Sequence, residues 1–430
     1  MPIFALIDGN SFYASCEAVF NPSIWNRPVV VLSNNDGCIV AANARAKAIG
    51  PIAFKPLYQV EKYLKQHNTA IFSSNYELYA DMSSRMHSIV GSFAPNQEIY
   101  SIDESFLDLS GMSWNLTDYA QQIKQLVRKS IGIPVAVGIG KSKTLAKAAN
   151  HLAKKIERHN GVLDLSSLSE DAIDQLLSRM DVGSVWGVGR KLTPKLKNIG
   201  IHTALDLKQM DRNHARRNFS VVLQTTVDEL NGIARIKFDE VIANKQQIIS
   251  SRSFGTPVTD LHSMQEAVAT YTARAALKLR RQHTQCMQLG VMITTNIHKS
   301  NEPQYSNWHY IELRYPSNST NELIHISRQA LRSIYKEGYR YKKAMVVLND
   351  IRESAPIQID LFNPQLRDTK RDEKLMSAYD LINRRMGGRT IQFAAEGTSN
   401  FKQQRTDWQM NRNRLSSRAT TRWSELKNVI

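Results

Sequence analysis

Over the first 165 positions, short apolar runs alternate with stretches of helical period. Residues 4–8, 29–32, 99–109 and 134–139 are apolar and of strand length, as expected for strands of a buried sheet. Helices are predicted over residues 41–49, 116–130 and 142–155, the last with Leu145, Ala148, Ala149 and Leu152 at helical spacing. This alternation points to an α/β or α+β domain built on a central sheet. From about 166 to 240 the pattern is one of short helices. A Lys/Gln/Ser-rich stretch, 244–250, reads as a connector. Strands at 288–294, 310–315 and 344–348, separated by helices at 264–281 and 320–335, then form a second, smaller α/β unit. Beyond 350, Pro356 and Pro364 flank a linker, and the remainder is polar and basic. There is no internal repeat.

The length of 430 residues exceeds what one core usually organises, so two to four domains are expected. With 42% hydrophobic and 22% charged residues the composition is that of a globular protein. No apolar run approaches the roughly 20 residues that span a bilayer. The N-terminus lacks a basic leader and reads as a first core strand. Cys16, Cys38 and Cys286 are scattered without metal-ligand spacing and are odd in number, which fits a reduced, cytoplasmic setting.

Charge narrows the partner class. Lys and Arg number 56 against 39 Asp and Glu, a net +17, which favours a polyanion. The excess is clustered. Residues 270–300 carry Arg274, Lys278, Arg280, Arg281 and Lys299 with no acid, and residues 328–343 carry Arg328, Arg332, Lys336, Arg340, Lys342 and Lys343 against Glu337 alone. From Asn363 onward 14 Lys and Arg face 7 Asp and Glu, a net of +7. Such stretches suit phosphate backbones.

The candidate chemistry lies in acids on apolar strands. Asp8 ends the first run, and Asp103 and Glu104 interrupt Ile99-Tyr100-Ser101-Ile102-Asp103-Glu104-Ser105-Phe106. Each alone reads as a strand-end acid that caps a loop or pairs with a lysine. Three together imply a cation, because an uncompensated buried charge costs several kcal/mol, and clustered carboxylates suit Mg²⁺ or Mn²⁺. Two such ions can serve phosphoryl transfer. Neighbours on a regular strand face opposite ways, so Asp103 and Glu104 share the ions only if the chain turns there.

Four segments, Asp8-Gly9-Asn10-Ser11-Phe12-Tyr13-Ala14-Ser15-Cys16-Glu17, Ser33-Asn34-Asn35-Asp36-Gly37-Cys38, Ser73-Ser74-Asn75-Tyr76-Glu77-Leu78-Tyr79-Ala80-Asp81 and Ser101-Ile102-Asp103-Glu104, resemble the Y-family translesion DNA polymerases. Within that family the match to the UmuC-like catalytic subunits of bacterial DNA polymerase V runs nearly end to end. The resemblance implies Asp8, Asp103 and Glu104 as catalytic metal carboxylates, with the Gly9 carbonyl on the nucleotide-bound ion. It implies Tyr13 as a steric gate against a ribose 2′-hydroxyl, and Lys47 and Lys154 as contacts to the dNTP triphosphate. Without it, Tyr13 reads as a core aromatic beside Phe12, and the lysines as solvated. Ala44 stands where many relatives carry a phosphate-touching Tyr.

Gly138-Ile139-Gly140-Lys141-Ser142 lacks the phosphate-loop spacing, because Val135 stands where a glycine is required. It reads as a turn into a helix. Val185-Trp186-Gly187-Val188-Gly189, a helix, then Ile199-Gly200-Ile201 has the form of a helix-hairpin-helix. Its glycines let backbone N–H groups approach a DNA phosphate, with Lys191, Lys195 and Lys197 beside them. Gln358-Ile359-Asp360-Leu361-Phe362 resembles the peptide that docks bacterial polymerases on the sliding clamp, anchored by Gln358, Leu361 and Phe362.

The expected fold is α+β, a right-handed polymerase. Residues 1–10 and 73–165 would form the palm, 11–72 small fingers, 166–240 a helical thumb with the hairpin, and 245–350 an α/β little finger. A linker at 351–365 would carry the clamp peptide, and a basic region at 366–430, with Trp408, Arg412, Arg414 and Trp423, would contact processed UmuD-like subunits and a recombinase filament. The implied function is error-prone, SOS-type synthesis across damaged primer-template DNA, without a proofreading acid cluster. Two other classes stay open. A two-metal nuclease or nucleotidyl cyclase needs neither gate nor duplex-binding hairpin, and a non-catalytic DNA-binding accessory needs no buried acids.

Overall fold

A computed structural model describes residues 2–238, 244–354, 369–397 and 408–426. The chain forms two compact units, Met1–Ile242 with Asn413–Ile430, and Ala243–Arg412.

In unit 1 the apolar run Phe4–Gly9 is strand β1, followed by helix α1 (Phe12–Val19). Strands β2 (Val29–Leu32) and β3 (Ile39–Ala42) lead through the short α2 (Ala44–Ala48) and α3 (Leu57–Gln66) to β4 (Ala70–Ser73). These strands make a three-stranded sheet in the order β3-β2-β4 over its own small core of Val30, Leu32, Ile39, Val60 and Leu64. The helix expected over 41–49 therefore begins as strand: Ala41 and Ala42 pair with Val31 and Val30, and Asn43 caps α2 by accepting from Ala46 N.

The chain continues through α4 (Tyr76–Gly91), β5 (Gln97–Ile99), β6 (Glu104–Asp108), α5 (Leu116–Ile131), β7 (Val135–Gly140), α6 (Lys143–Lys155) and β8 (Val162–Asp164). The five-stranded sheet runs β5-β6-β1-β7-β8, so β1 is central and hydrogen-bonded on both edges. Helices α1, α4 and α5 bury one face with Ile7, Phe12, Tyr79, Met86, Leu107 and Val137. Residues 99–109, expected as one strand, are instead a hairpin: Tyr100 N and Ser101 N both donate to the Glu104 carbonyl. The Ser101 hydroxyl accepts from Asp103 N and Glu104 N, a turn made by serine without glycine or proline.

Five short helices follow, α7 (Glu170–Leu177), α8 (Leu192–Lys197), α9 (Ala204–Lys208), α10 (Arg212–Asn218) and α11 (Val221–Leu230), around a core that also takes in Leu145 and Leu152 of α6. The fully buried Glu229 fastens α11 to the start of α6: its carboxylate accepts from Thr144 N, Arg235 N and Ile236 N at 2.6–3.0 Å.

Unit 2 is an antiparallel sheet in the order β11-β10-β12-β9, made of β9 (Ile248–Val258), β10 (Thr284–Thr295), β11 (Ser306–Ser317) and β12 (Tyr341–Glu353). It packs with α12 (Leu261–Arg281) and α13 (Thr320–Ile334) around Val268, Tyr271, Leu289, Val346 and Leu348. The connector expected at 244–250 already contains the start of β9, an edge strand in which serines and arginine alternate with Ile248, Phe254 and Val258. Helix α14 (Thr369–Met386) is held to α12 by a bidentate pair, Arg280 to Asp380 at 2.7 and 2.8 Å. Among the described residues no helix is long and apolar enough to cross a membrane.

The closest fit in unit 1 is between β7 and α6. A Cβ at Gly138 would run into the Asn150 amide and the Ala146 carbonyl, which are backbone and cannot yield. Gly138→Ala should therefore destabilise unit 1 by about 3 kcal/mol, the upper range for overpacking. Thermal unfolding reads this directly, and an unchanged transition would mean α6 is not seated on β7 this closely.

Candidate active site

The register of the central sheet sets the site. Asp8, near the end of β1, lies directly opposite Glu104, the first residue of β6, so the two carboxylates share one face. Asp103 sits in the hairpin turn, its carbonyl accepting from Gly9 N at 2.8 Å and its carboxylate accepting from Ser101 Oγ at 2.8 Å. The turn required for Asp103 and Glu104 to serve one centre is present. After Gly9 and Asn10 the chain reverses through Ser11, a left-handed residue with φ 48°, a conformation a non-glycine residue adopts at some cost. The reversal sends α1 back so that Tyr13 lines a cleft of roughly 420 Å³ with Ser11, Lys47, Phe54 and Asp103. Lys47 Nζ reaches Ser11 Oγ at 3.4 Å.

Two lysines of α6 balance the acids. Lys154 lies 2.5 Å from Asp8, and Lys147 meets both oxygens of Glu104 at 2.9 and 3.0 Å. Lys147 also stands over the Tyr100 ring at 4.4 Å and the Trp186 ring at 5.2 Å, a cation–π setting. Burial pushes the Asp8 carboxyl above the usual range. Lys154 opposes that shift and the adjacent Glu104 adds to it. Burial thus makes the ionised Asp8 costly even beside Lys154. Among the described residues no three His, Cys, Asp or Glu side chains converge on a single point. Asp8 and Glu104 touch each other, while Asp103 lines the cleft beside Tyr13. Half-buried hard oxygen donors crowding one another fit divalent Mg²⁺ or Mn²⁺ and fit poorly with a softer metal.

The sequence expectations thus come together unevenly. Asp103, Tyr13 and Lys47 line one cleft, Gly9 is tied to Asp103 and Asp8 is paired with Glu104 in the adjoining sheet, whereas Lys154 is engaged with Asp8. Lys147 was not foreseen. The signal was available, since Lys147, His151 and Lys154 form the less buried stripe of an otherwise buried helix at i, i+4 and i+7. At the hairpin, Gly187 and Gly200 take φ values of 92° and 86°, and Gly189 O accepts from Leu192 N and Thr193 N to open α8. Around Gly189 a Cβ would meet nothing within 4 Å, and Lys191 and Lys195 are exposed. Lys197 is paired with Asp181 at 2.7 Å. Trp186 extends the hairpin onto the acid-bearing turn, its indole N–H donating to Tyr100 Oη at 3.2 Å. In unit 2, Arg280 is held by Asp380, and Lys299 by Glu302, so part of the basic excess is internally paired. Gln358, Leu361 and Phe362 lie outside the described residues.

Comparison with known structures gives the class. A Y-family DNA polymerase chimera of Dbh and Dpo4 superposes with a TM-score of 0.64 at 19% identity, over 82% of this chain and 100% of that one. An insertion ternary complex of Dbh DNA polymerase gives 0.53 at 20%, with 82% and 100% coverage. The fold is that of the Y-family DNA polymerases.

Residues 7–151 match the impB/mucB/samB family and 245–361 its C-terminal domain. Residues 170–201 match the IMS family HHH motif, and 373–429 match a domain of unknown function, DUF4113. Protein UmuC of Salmonella typhimurium is 43% identical over 99% of this chain and 100% of its own length, and Protein ImpB of Salmonella typhimurium 41% over 99% of each. DNA polymerase IV 1 of Bacillus subtilis is 24% identical over 90% of this chain and 92% of its own length. The chain belongs to the impB/mucB/samB family.

The raised Asp8 carboxyl has a measurable consequence. Its ionised form is disfavoured in the folded state, a cost present above its folded pKa and absent below its unfolded one. A bound divalent ion offsets that cost where it exists and competes with a proton where it does not. Mn²⁺ should therefore raise the unfolding temperature of the DNA-free protein at neutral pH, and the gain should shrink as pH falls. A gain independent of pH, or one kept in Asp8→Asn, would place the ion elsewhere.

Proposed function

We infer that this chain extends a primer by metal-assisted attack of its 3′-hydroxyl on the α-phosphate of a dNTP, with Asp8, Asp103 and Glu104 as the acids that hold the ions. It is a template-directed DNA polymerase of the translesion type, acting in SOS-type repair and mutagenesis. The observation that carries the site assignment is the direct opposition of Asp8 and Glu104 in the central sheet, with Asp103 in the turn beside them. Two Mg²⁺ ions, or Mn²⁺ in their place, held by these carboxylates and the Gly9 carbonyl would supply Lewis acidity at the phosphate and stabilise the attacking and leaving oxygens.

The chain's own groups do the rest. Tyr13 closes the cleft on the side where a ribose 2′-hydroxyl would project. Lys47, at the mouth of the same cleft, faces the triphosphate, and Lys154 is released from Asp8 to join it. Lys147 holds the Glu104 carboxylate in place. Gly187, Gly189 and Lys191 bind a duplex phosphate through backbone N–H groups and one ammonium, a contact blind to sequence. We assign the palm to 1–10 and 73–165, the fingers to 11–72, the thumb to 166–240 and the little finger to 245–350.

Partner assignments follow from kinship and composition. Gln358, Leu361 and Phe362 would dock the sliding clamp, raising local concentration at primer ends. The basic region after 366 would meet processed UmuD-like subunits and a recombinase filament. The working compartment would be the cytoplasm, where Cys16, Cys38 and Cys286 stay reduced.

Asp103→Ala or Glu104→Ala should lower single-nucleotide incorporation by at least about a thousandfold, while primer-template affinity, read by anisotropy, changes little. Normal extension by either variant would refute the assignment. Tyr13→Ala should admit ribonucleotides, raising rCTP use relative to dCTP by at least about tenfold. Unchanged discrimination would return Tyr13 to the core.

A further inference from the structure

The segment 413–418 returns from unit 2 to unit 1, and its contacts fall on the motif 73–79. Ser73 N donates to the Arg414 carbonyl at 2.9 Å, and Arg414 N donates to Ser73 Oγ at 2.9 Å. Asn75 Nδ2 donates to Ser416 Oγ at 2.9 Å and to the Ser416 and Ser417 carbonyls at 3.3 Å. Asn413 N donates to Asp36 Oδ2 at 2.9 Å, Arg414 pairs with Glu61 at 2.8 Å, and Arg418 pairs with Glu77 at 3.4 Å. The strap thus grips β4, α3 and the first turn of α4 together.

Beneath it lies a carboxyl that the polymerase chemistry does not use. Glu17 on α1 is 3% exposed. It accepts from Tyr79 Oη at 2.6 Å. Burial pushes this carboxyl upward, and the nearby Tyr79 and Ser416 hydroxyls hold it back. The strap reaches Tyr79 through α4 as well: Asn75, bonded to Ser416, accepts at its carbonyl from Tyr79 N at 3.0 Å. Tyr79, fully buried, stacks on Tyr13 at 4.5 Å with ring planes 15° apart. Tyr76 meets both rings edge-on at 6.2 and 6.3 Å. A continuous line of contacts therefore runs from Ser416 through Asn75 and Tyr79 to Tyr13, with Glu17 holding the Tyr79 hydroxyl.

We propose that the strap 413–418 determines sugar specificity at a distance: Ser416 fixes Asn75 at the head of α4, Asn75 and Glu17 fix Tyr79, and the Tyr79 ring sets the position of Tyr13 in the cleft. The proposal rests on Tyr13 being the steric gate. Ser416, Asn75 and Glu17 are positioning residues that touch no substrate. Without the Ser416 hydroxyl, Asn75 loses its shortest bond to the strap, and the first turn of α4 is held less firmly. Tyr79, one turn further on, then shifts against Glu17, and Tyr13 loses the rigid face against which it stacks. A ring free to tilt excludes a 2′-hydroxyl less sharply. It still admits a deoxyribose, because nothing at the acids has changed.

The test uses the full-length protein on undamaged primer-template and compares kcat/KM for dCTP and rCTP. Tyr13→Ala is the reference variant, and Ser416→Ala loosens the strap. Ser416→Ala should lose about tenfold in discrimination, the factor that corresponds to about 1.4 kcal/mol of selectivity. The loss should appear as faster rCTP use, with kcat for dCTP and affinity for DNA held within about twofold. Ser416→Thr, which keeps the hydroxyl, should keep the discrimination of the unsubstituted protein. If Tyr13→Ala relaxes discrimination and Ser416→Ala does not, the strap has no part in specificity. The same holds if dCTP and rCTP use fall together, or if Ser416→Thr loses discrimination as Ser416→Ala does. If Tyr13→Ala itself leaves discrimination intact, the gate reading fails and the proposal falls with it.

Discussion

A carboxylate near the end of the central strand is the constraint around which unit 1 is arranged. β1 is central, with hydrogen-bonded neighbours on both sides, so Asp8 cannot move away from Glu104 without breaking a ladder. Two acids in direct opposition in a half-buried place are costly unless cations come to them. The structure supplies cations from the helix most tightly fitted to the sheet. α6 crosses so close to β7 that only glycine serves at 138, and that closeness brings Lys147 and Lys154 to the acids. Glu229 then ties the start of α6 to α11, so the helical layer carrying the glycine hairpin is registered to the same helix. Trp186 makes a second connection, through Tyr100, to the turn that bears Asp103.

How much of this was legible in the sequence differed by the range of the forces involved. The strands at Phe4–Gly9 and Val135–Gly140 and the helix Lys143–Lys155 were plain from apolar period, because they are buried on nearly every side. The acids were legible for the same reason, being charges in segments too apolar to be surface. The hairpin at 100–103 was not, since its turn is closed by the hydroxyl of Ser101 and carries no glycine or proline. Strand Ile39–Ala42 was hidden in a helical reading because alanines suit both. β9 was lost among serines, as edge strands carry polar residues that a central strand would not.

The tail shows a deeper limit. Its polar, basic composition was read as one regulatory region, yet among the described residues 369–397 and 408–412 group with unit 2 and 413–426 with unit 1. Trp408 is buried in the core of unit 2, while Trp423 is almost wholly exposed. Nothing periodic marks such a division. The contacts of Arg414 and Ser416 are single polar bonds to residues more than 340 positions away, and their counterparts at Ser73 and Asn75 looked like a family signature without an assigned task.

Because unit 2 is an insertion in the chain of unit 1, order of synthesis and order of assembly diverge. The central sheet, α1 and α4 leave the ribosome early and can fold as a body. Ser416, which holds Asn75 at the head of α4, is made only after every residue of unit 2. Until then Asn75 lacks that partner, and the three-stranded sheet lacks the backbone pairing at Ser73. Translation that stops anywhere within unit 2 thus leaves a body with all of its acids in place but without the strap that braces α1 and α4.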